Sequence, residues 1–411
     1  MINFEKFTLT NGLRVIVHRD TSTPIVAMNI LYDVGARDEH PERTGFAHLF
    51  EHLMFGGSVN IPKYDEPLQK VGGENNAFTN NDITNYYLTF PKQNIETAFW
   101  LESDRMLSLA FSKKSLDVQR NVVSEEFKQS FLNQPYGDVW LLLKPLAYKV
   151  HPYQWNTIGK DISHIQNATM KNVKDFFKKF YCPNNAIMVI AGDVNTKEIK
   201  QLSEKWFGPI PKGPKNNRKL PVEPEQRKAR RLTVTRNVPY DTIYKAYHCC
   251  AKSDKEFYAT DLLSDILSNG RSSRLFRELL MKKRMFCEIN AYLTGDIDKG
   301  LFIVTGDLIK GIKMEDAEKA IQEELDKIQQ YIEDKELEKV KNKIESSLMF
   351  SEMNVLNKAT NLAFAELMGD AGIINSEIKN YRAVTKEQIM GEAKKIFRKT
   401  NCSTLYYYAK K

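Results

Sequence analysis

Hydrophobic and polar positions follow the same order in the two halves of the chain. A stretch with helical apolar spacing begins at Thr169 and leads into the β-rich segment IMVIA, and a second one begins at Thr385 and leads into TLYYY. The two align without a gap at an offset of 216, which matches Thr169 with Thr385 as helix N-caps and Asn185 with Asn401. This self-similarity predicts an internal duplication.

The repeated pattern also predicts the fold class. In each half it indicates a β-hairpin, a helix, further strands, a group of helices and a last strand. We expect an α+β fold of two similar domains, each a mostly antiparallel sheet with helices packed on one face. Residues 206–231 are dense in proline, glycine and charge. We therefore predict an N-terminal domain over 1–210, a linker over 211–230 and a C-terminal domain over 231–411.

Composition narrows the class of protein. Of the 411 residues, 42% are hydrophobic and 27% are charged, which is typical of a soluble globular protein, and no apolar run reaches the length of a membrane span. The net charge of +8 comes mainly from lysines on amphipathic stretches, so we expect no nucleic-acid partner. The start of the chain does not resemble a secretory signal, and five scattered cysteines form no CxxC pair. A bacterial cytoplasmic location is expected.

The stretch GFAHLFEHLMFGG, residues 45–57, carries the first candidate chemistry. His48 and His52 are four residues apart, so on a helix both imidazoles can reach one metal ion. Glu51 lies at the edge of the same face, where it can reach a water as a general base. This is the HxxEH order of the inverzincins. The alternative is an ordinary buried helix that contains three polar residues.

The internal repeat provides a control for this motif. At the offset of 216, the three polar positions correspond to Ser264, Leu267 and Ser268. The second half keeps the apolar pattern without the polar trio. The fold therefore does not require these groups, which favours a chemical role for them in the first half.

A third metal ligand is expected further along the chain. A catalytic zinc uses three protein ligands and leaves one position open. The stretch QRNVVSEEFKQS predicts a helix with two adjacent candidates, Glu125 and Glu126. Spacing alone does not choose between them, and both could be solvated surface residues.

Several further segments accompany the metal motif in a recognisable order. They are LTNGLRVIV, VGGENNAFTNNDITNYYLTFP, RNVVSEEF, HPYQWNTIGK, FYCPNNAIMVIAGDV and NGRSSRLFREL. With them the chain resembles the M16 (pitrilysin/insulysin-like) zinc metallopeptidases, which include two-domain bacterial peptidases and the subunits of mitochondrial processing peptidase. The resemblance spans nearly the whole chain.

The resemblance implies a zinc-dependent endopeptidase subunit that cuts extended peptides or unfolded polypeptides. It implies one Zn²⁺ per chain held by His48, His52 and Glu126, with Glu51 as the catalytic base. It also implies that GGENNAFTNNDITNYY contains an edge strand to which a peptide substrate adds. Its substrate-binding positions are Asn76, Ala77 and Phe78, and without the resemblance this glycine- and asparagine-rich segment would be interpreted as a turn.

The sequence departs from the family pattern in two places. Gln119 stands where the family usually has a second-shell glutamate, seven residues before Glu126. Leu280 and Cys287 stand where the family has an arginine and a tyrosine that bind the substrate backbone.

These departures bear on partners and on the competing functions. Because transition-state charge needs stabilisation beyond the metal, we expect a heterodimer with a homologous subunit that supplies the arginine and tyrosine, with a homodimer as the alternative. The chamber for the substrate would form between the two subunits. Two other functions are a non-catalytic core subunit of an M16-type complex and a zinc enzyme acting on small molecules.

Overall fold

The computed structural model describes residues 1–410, and the described chain divides into two compact units. The first unit comprises Met1–Gln129, Trp155–Leu220 and Met349–Ser376. The second comprises Ser130–Gln154, Pro221–Leu348 and the segment from Glu377 onwards. Neither unit is one continuous segment.

The elements follow in chain order. The strands are β1 (Glu5–Thr8), β2 (Arg14–Arg19), β3 (Ile25–Tyr32), β4 (Glu74–Thr79), β5 (Thr84–Pro91), β6 (Ala186–Gly192), β7 (Arg230–Arg236), β8 (Thr242–His248), β9 (Phe286–Leu293), β10 (Leu301–Leu308) and β11 (Cys402–Ala409). The helices are α1 (Phe46–Met54), α2 (Asp65–Lys70), α3 (Ile95–Leu107), α4 (Lys113–Phe127), α5 (Val139–Ala147), α6 (Ile162–Gln166), α7 (Met170–Phe180), α8 (Thr196–Trp206), α9 (Phe257–Ser268), α10 (Met314–Ile328), α11 (Asp334–Ser351), α12 (Val355–Leu367), α13 (Glu377–Ala383) and α14 (Lys386–Ile396).

Each unit contains one sheet, and the two sheets share the order of five strands, to which the first sheet adds β1 at one edge. The first has the order β1-β2-β6-β3-β5-β4 and the second the order β7-β11-β8-β10-β9. One neighbouring pair in each sheet is parallel, β2 with β6 and β7 with β11, and the remaining pairs are antiparallel. The predicted α+β fold of two similar, mostly antiparallel domains is confirmed. β4 and β9 lie at corresponding edges of the two sheets, and β1 and β7 lie at the other edges.

Corresponding helix starts confirm the predicted N-caps. The Thr169 hydroxyl accepts from the amide of Asn172 at the start of α7, and the Thr385 hydroxyl accepts from the amide of Gln388 at the start of α14. In both cases the side-chain oxygen at the third helical position accepts in return from the backbone amide of the threonine, which makes a capping box. The offset of 216 thus relates the two units in local structure as well as in sequence.

The two halves exchange one helix each. α12 comes from the second half but packs on β3 and β6 of the first sheet, where Ala359, Leu362 and Ala363 join the core. α5 comes from the first half but packs on β8 and β11, where Leu143 and Ala147 are buried. α12 therefore belongs to the first unit, and α5 to the second. The compact units consequently differ from the predicted continuous ranges 1–210 and 231–411.

The segment between the halves is irregular, as its composition predicts. No helix or strand is formed over residues 211–229. Arg218 in this segment pairs with Asp38 at 2.7 Å, so part of it is fixed to the first unit.

Across residues 1–410, no helix combines the length and the apolar character needed to cross a membrane.

Candidate metal centre

α1 presents its polar trio on one side of an otherwise apolar helix. Six of its nine residues are buried, namely Phe46, Ala47, Leu49, Phe50, Leu53 and Met54. The 3–4 spacing of these residues sets the inward face, and Phe50 stacks on the ring of Tyr181 with centroids 5.0 Å apart. His48, Glu51 and His52 are left on the partly exposed side.

Two imidazoles and one carboxylate converge there. The Nε2 atom of His48 lies 3.6 Å from Oε1 of Glu126, and the Nε2 atom of His52 lies 3.3 Å from Oε2 of Glu126. One ligand atom from each of the three residues lies within 4.8 Å of the other two. Two nitrogens and one oxygen at this separation fit the donor set of a catalytic zinc. In residues 1–410 this is the one such group of three.

Glu125 points away from this cluster. Its side chain is 62% exposed and pairs with Lys128 one turn later at 2.6 Å. Glu126 is 40% exposed and faces the imidazoles from α4. The structure therefore brings Glu126, and not its neighbour, to the two histidines.

The surroundings of His48 and Glu126 shift the pKa of each side chain. Burial lowers the pKa of His48 to about 4, against the opposing effect of the Glu126 charge. The His52 hydrogen bond lowers the pKa of the Glu126 carboxyl. At neutral pH the imidazole of His48 is then neutral and the carboxyl of Glu126 is ionised, which are the forms that bind a metal.

Glu51 lies in a different environment from the three converging groups. It is partly buried, and this burial raises the pKa of its carboxyl, while the nearby hydroxyl and amide of Thr79 act in the opposite direction. Thr79 is the last residue of β4, so the outer strand of the sheet ends beside the predicted base. Sequence analysis did not identify Thr79, and its type and position give no signal for this role.

β4 carries the three predicted substrate-binding positions. Asn76 and Phe78 are exposed and Ala77 is half-buried. β4 pairs with β5 on one side only, so its other edge is open. The Ala77 amide donates to Oδ1 of Asn76 at 2.8 Å. This backbone donor thus has a side-chain partner on the exposed side of the strand.

The residues that depart from the family pattern have ordinary structural positions. Gln119 is half-buried on α4, two turns before Glu126, and its second-shell role stays a prediction. Leu280 packs against the core of the second unit. Cys287 is exposed on β9.

The serines at the repeated positions have structural roles in the second unit. The hydroxyl of Ser264 donates to the carbonyl of Asp261 within α9. The hydroxyl of Ser268 donates to the carbonyl of Ala291 at 2.9 Å and accepts from the amide of the same residue at 2.7 Å. At the position equivalent to His52, the second half therefore uses a hydroxyl to hold its outer strand.

A buried cation lies beneath α1 and was also not identified from the sequence. The guanidinium of Arg105 pairs with Glu102 at 2.5 Å and lies over the rings of Tyr64 and Tyr86, at 4.7 and 4.5 Å from their centroids. An arginine three residues after a glutamate is usually a surface pair. Only the tertiary packing shows that this pair is in the core.

Two models of known protein families match the chain. A family model described as "Insulinase (Peptidase family M16)" matches residues 14–149, and one described as "Peptidase M16 inactive domain" matches residues 167–344. The first match contains all of the converging ligands, and the second begins after them.

Individual relatives agree with the family models. The chain is 33% identical to "Zinc protease PqqE" of Helicobacter pylori over 344 residues, which are 82% of this chain and 77% of the relative. It is 24% identical to "Uncharacterized zinc protease YmxG" of Bacillus subtilis over 96% of this chain and 95% of the relative. A crystal structure of a protease from Helicobacter pylori superposes with a TM-score of 0.92 at 28% identity, covering 99% of this chain and 100% of that one. The chain belongs to the M16 peptidase family.

Proposed function

We propose that this protein is a zinc-dependent endopeptidase subunit that hydrolyses extended peptides or unfolded polypeptides. The observation that carries the proposal is the convergence of His48, His52 and Glu126 within 4.8 Å, with two of them on a helix that contacts the edge strand β4. These three residues would hold one Zn²⁺. The ion, when bound, supplies Lewis acidity to the scissile carbonyl and to an attacking water.

Glu51 acts as the general base in this proposal. It follows His48 by three residues and precedes His52, so it is on the helix that presents both imidazoles. Burial raises the pKa of its carboxyl above that of an exposed glutamate and toward neutral pH. A base with such a pKa suits a reaction in which it accepts a proton from water and then delivers that proton to the leaving amine.

The edge of β4 binds the substrate backbone. A peptide in extended conformation can add to an open strand through main-chain hydrogen bonds. At Ala77 the amide is already directed to the exposed side, where a substrate carbonyl would replace Oδ1 of Asn76. Asn76 and Phe78 are exposed beside it and would contact substrate side chains. This mode requires an unfolded segment, since a folded substrate cannot offer a free strand.

The complete active site needs a second subunit in this proposal. Leu280 and Cys287 cannot donate the hydrogen bonds that an arginine and a tyrosine would supply to the substrate. A homologous chain that carries these groups would complete the site and enclose the substrate in a chamber. A homodimer is the alternative arrangement. The expected cytoplasmic location remains a prediction.

A non-catalytic core subunit is the second candidate function. The observation that favours it is the pair Leu280 and Cys287, because loss of the substrate-binding groups is compatible with a structural role. A core subunit would have no use for a base and three converging ligands. Their joint presence is the reason to prefer the peptidase.

Metal content and peptide cleavage test the proposal. We expect one zinc per chain in the purified protein. Glu51→Gln should retain the metal and abolish cleavage of a quenched unstructured peptide by the chain with its partner. The exposed Glu42→Gln is the control and should change neither. Zinc binding without cleavage in any subunit combination would favour the core-subunit function, and cleavage by the Glu51 variant would remove Glu51 from its role.

A further inference from the structure

The N-terminus of α1 cannot carry a capping side chain of its own. Its N-cap residue is Gly45, with φ of 88° in the left-handed region. A Cβ atom at this position would lie 2.6 Å from the carbonyl oxygen of Ile158. Lack of space therefore excludes the side chains of serine, threonine, aspartate and asparagine, the usual N-cap residues, and the backbone conformation also disfavours serine and threonine.

The carboxylate of Glu39 takes the place of the missing cap. Its Oε2 atom accepts from the amide of Gly45 at 2.8 Å, and its Oε1 atom accepts from the amide of Ala47 at 2.8 Å. The Glu39 residue is 6% exposed. A single carboxyl group from six residues upstream of Gly45 thus satisfies two of the unpaired amides at the start of the helix.

The segment that carries Glu39 is itself fixed. The guanidinium of Arg37 pairs with Asp82 at 3.0 Å, and Asp38 accepts from Arg218. The indole nitrogen of Trp155 donates to the carbonyl of Ala36 at 2.9 Å. Three neighbours of Glu39 in sequence are therefore held by separate parts of the first unit.

His48 lies in the helical turn that Glu39 holds, one residue after Ala47. The Nδ1 atom of His48 is buried and has no hydrogen-bond partner among residues 1–410. A metal-binding histidine usually has its ring oriented by a hydrogen bond from its second nitrogen. Without one, the backbone of the first helical turn and the edge-on ring of His52, with centroids 4.7 Å apart, set the direction of the His48 ring. Ala47, the residue directly before it, is bound by Glu39.

We propose that Glu39 is a positioning residue that fixes the first turn of α1 and thereby orients His48 toward the metal. This inference rests on the proposed zinc site. It assigns to a residue outside the HxxEH motif and outside the ligand set a role in metal affinity. Its effect acts through the backbone and not through contact with the ion.

Zinc affinity of the metal-free chain tests the inference. We expect Glu39→Gln, which keeps one accepting oxygen, to bind zinc about 10–100-fold more weakly than the unsubstituted chain in a chelator competition, the usual cost of losing a second-shell partner. Glu39→Ala should weaken binding further. Asn195→Ala is the matched control, because Asn195 caps α8 in the same unit through the amide of Lys197 and α8 carries no ligand.

The control separates positioning from general stability. Glu39→Ala and Asn195→Ala each remove a helix cap, so the melting temperature of every metal-free variant is measured beside its zinc affinity. Equal zinc affinity in Glu39→Gln and the unsubstituted chain, or an equal loss in Glu39→Gln and Asn195→Ala, would overturn the inference. A lack of stoichiometric zinc in the unsubstituted chain would instead overturn the proposed function, and this inference with it.

Discussion

At the scale of single residues, the ligand set depends on a choice between two adjacent glutamates. Glu126 faces His48 and His52, whereas Glu125 is exposed and pairs with Lys128. We expect Glu126→Gln to weaken zinc binding by more than the roughly 10–100-fold that loss of a second-shell partner costs. Glu125→Gln should leave zinc affinity unchanged. Zinc titration of both metal-free variants measures this, and a larger loss in the Glu125 variant would reverse the assignment.

The sequence could predict part of this site for a physical reason. His48, Glu51 and His52 lie on one helix, and the geometry of a helix follows from spacing alone. Glu126 lies on another helix, so the residues alone left it equal to Glu125, and only the family resemblance distinguished the two. Glu39 and Thr79 are brought to α1 by loop and sheet packing, which no local pattern encodes. The one available signal for Glu39 was a helix that starts at a glycine without a capping side chain.

At the scale of elements, substrate binding at the open edge of β4 would depend on the backbone amide of Ala77. Ala77→Pro removes the exposed backbone donor, and a proline is tolerated on an edge strand where the N–H faces away from the partner. We expect the kcat/KM for an unstructured peptide to fall about tenfold, the value of one backbone hydrogen bond. Ala77→Ser keeps the amide and should behave like the unsubstituted chain. Unchanged kcat/KM in the proline variant would show that the substrate does not use this donor.

The helix that the second half contributes to the first sheet is held by a partly buried ion pair. Lys358 of α12 lies 2.5 Å from Asp20, with side-chain exposures of 15% and 10%. We expect Lys358→Met to lower the free energy of unfolding by about 1–3 kcal/mol, between the values for exposed and for buried pairs. Urea denaturation measures this change. Lys63→Met removes an exposed pair with Glu66 and should have little effect. Equal effects of the two substitutions would refute a special role for the pair on α12.

The same pair predicts sensitivity to acid. Burial alone would raise the pKa of Asp20, but hydrogen bonds from Lys358 and Ser22 dominate and hold it well below the usual value of 3.8. A carboxyl with a lowered pKa in the folded state stabilises the fold above the unfolded-state pKa, and this stabilisation is lost as the pH falls. Unfolding followed between pH 6 and pH 2 should therefore show a smaller loss of stability below pH 4 in Asp20→Asn than in the unsubstituted chain. Parallel curves for the two proteins would contradict this.

Sequence patterns predicted where helices and strands form better than they predicted which sheet each helix packs on. The capping boxes at Thr169 and Thr385 are local, so a residue type and its spacing suffice to predict them. The exchange of α5 and α12 was not predicted, because an amphipathic helix shows that one face is buried but not which sheet covers it. The continuous domain ranges therefore described the repeat in the sequence and not the compact units.

At the scale of the whole molecule, the two related units have diverged in chemistry. The first half has Glu51 and the three converging side chains that we propose as base and metal ligands, while the second has Ser264 and Ser268 at the positions of the two histidines, bonded within their own unit. Leu280 packs against the core of the second unit, so an arginine introduced there would disturb packing as well as add a charge. Replacing Leu280 by the arginine of the family pattern would therefore destabilise the second unit. We accordingly expect the arginine and the tyrosine to come from a second chain.

The mass, composition and peptidase activity of the native complex test whether a second chain supplies these groups. A 47.5 kDa chain that needs a homologous partner should be purified in an assembly that contains one further chain of different mass, together with one zinc per copy of this chain. The isolated chain should bind zinc but cleave unstructured peptides slowly, since a metal and a base without groups for the developing charge leave much of the barrier in place. Adding the co-purified chain should increase turnover by about 10²–10³-fold, the usual effect of one such donor. Native mass spectrometry and peptide cleavage by each chain separately and together provide the measurements. A native mass that is a multiple of 47.5 kDa, with full activity in the single species, would replace the heterodimer by a homodimer and would require donors from residues other than 280 and 287.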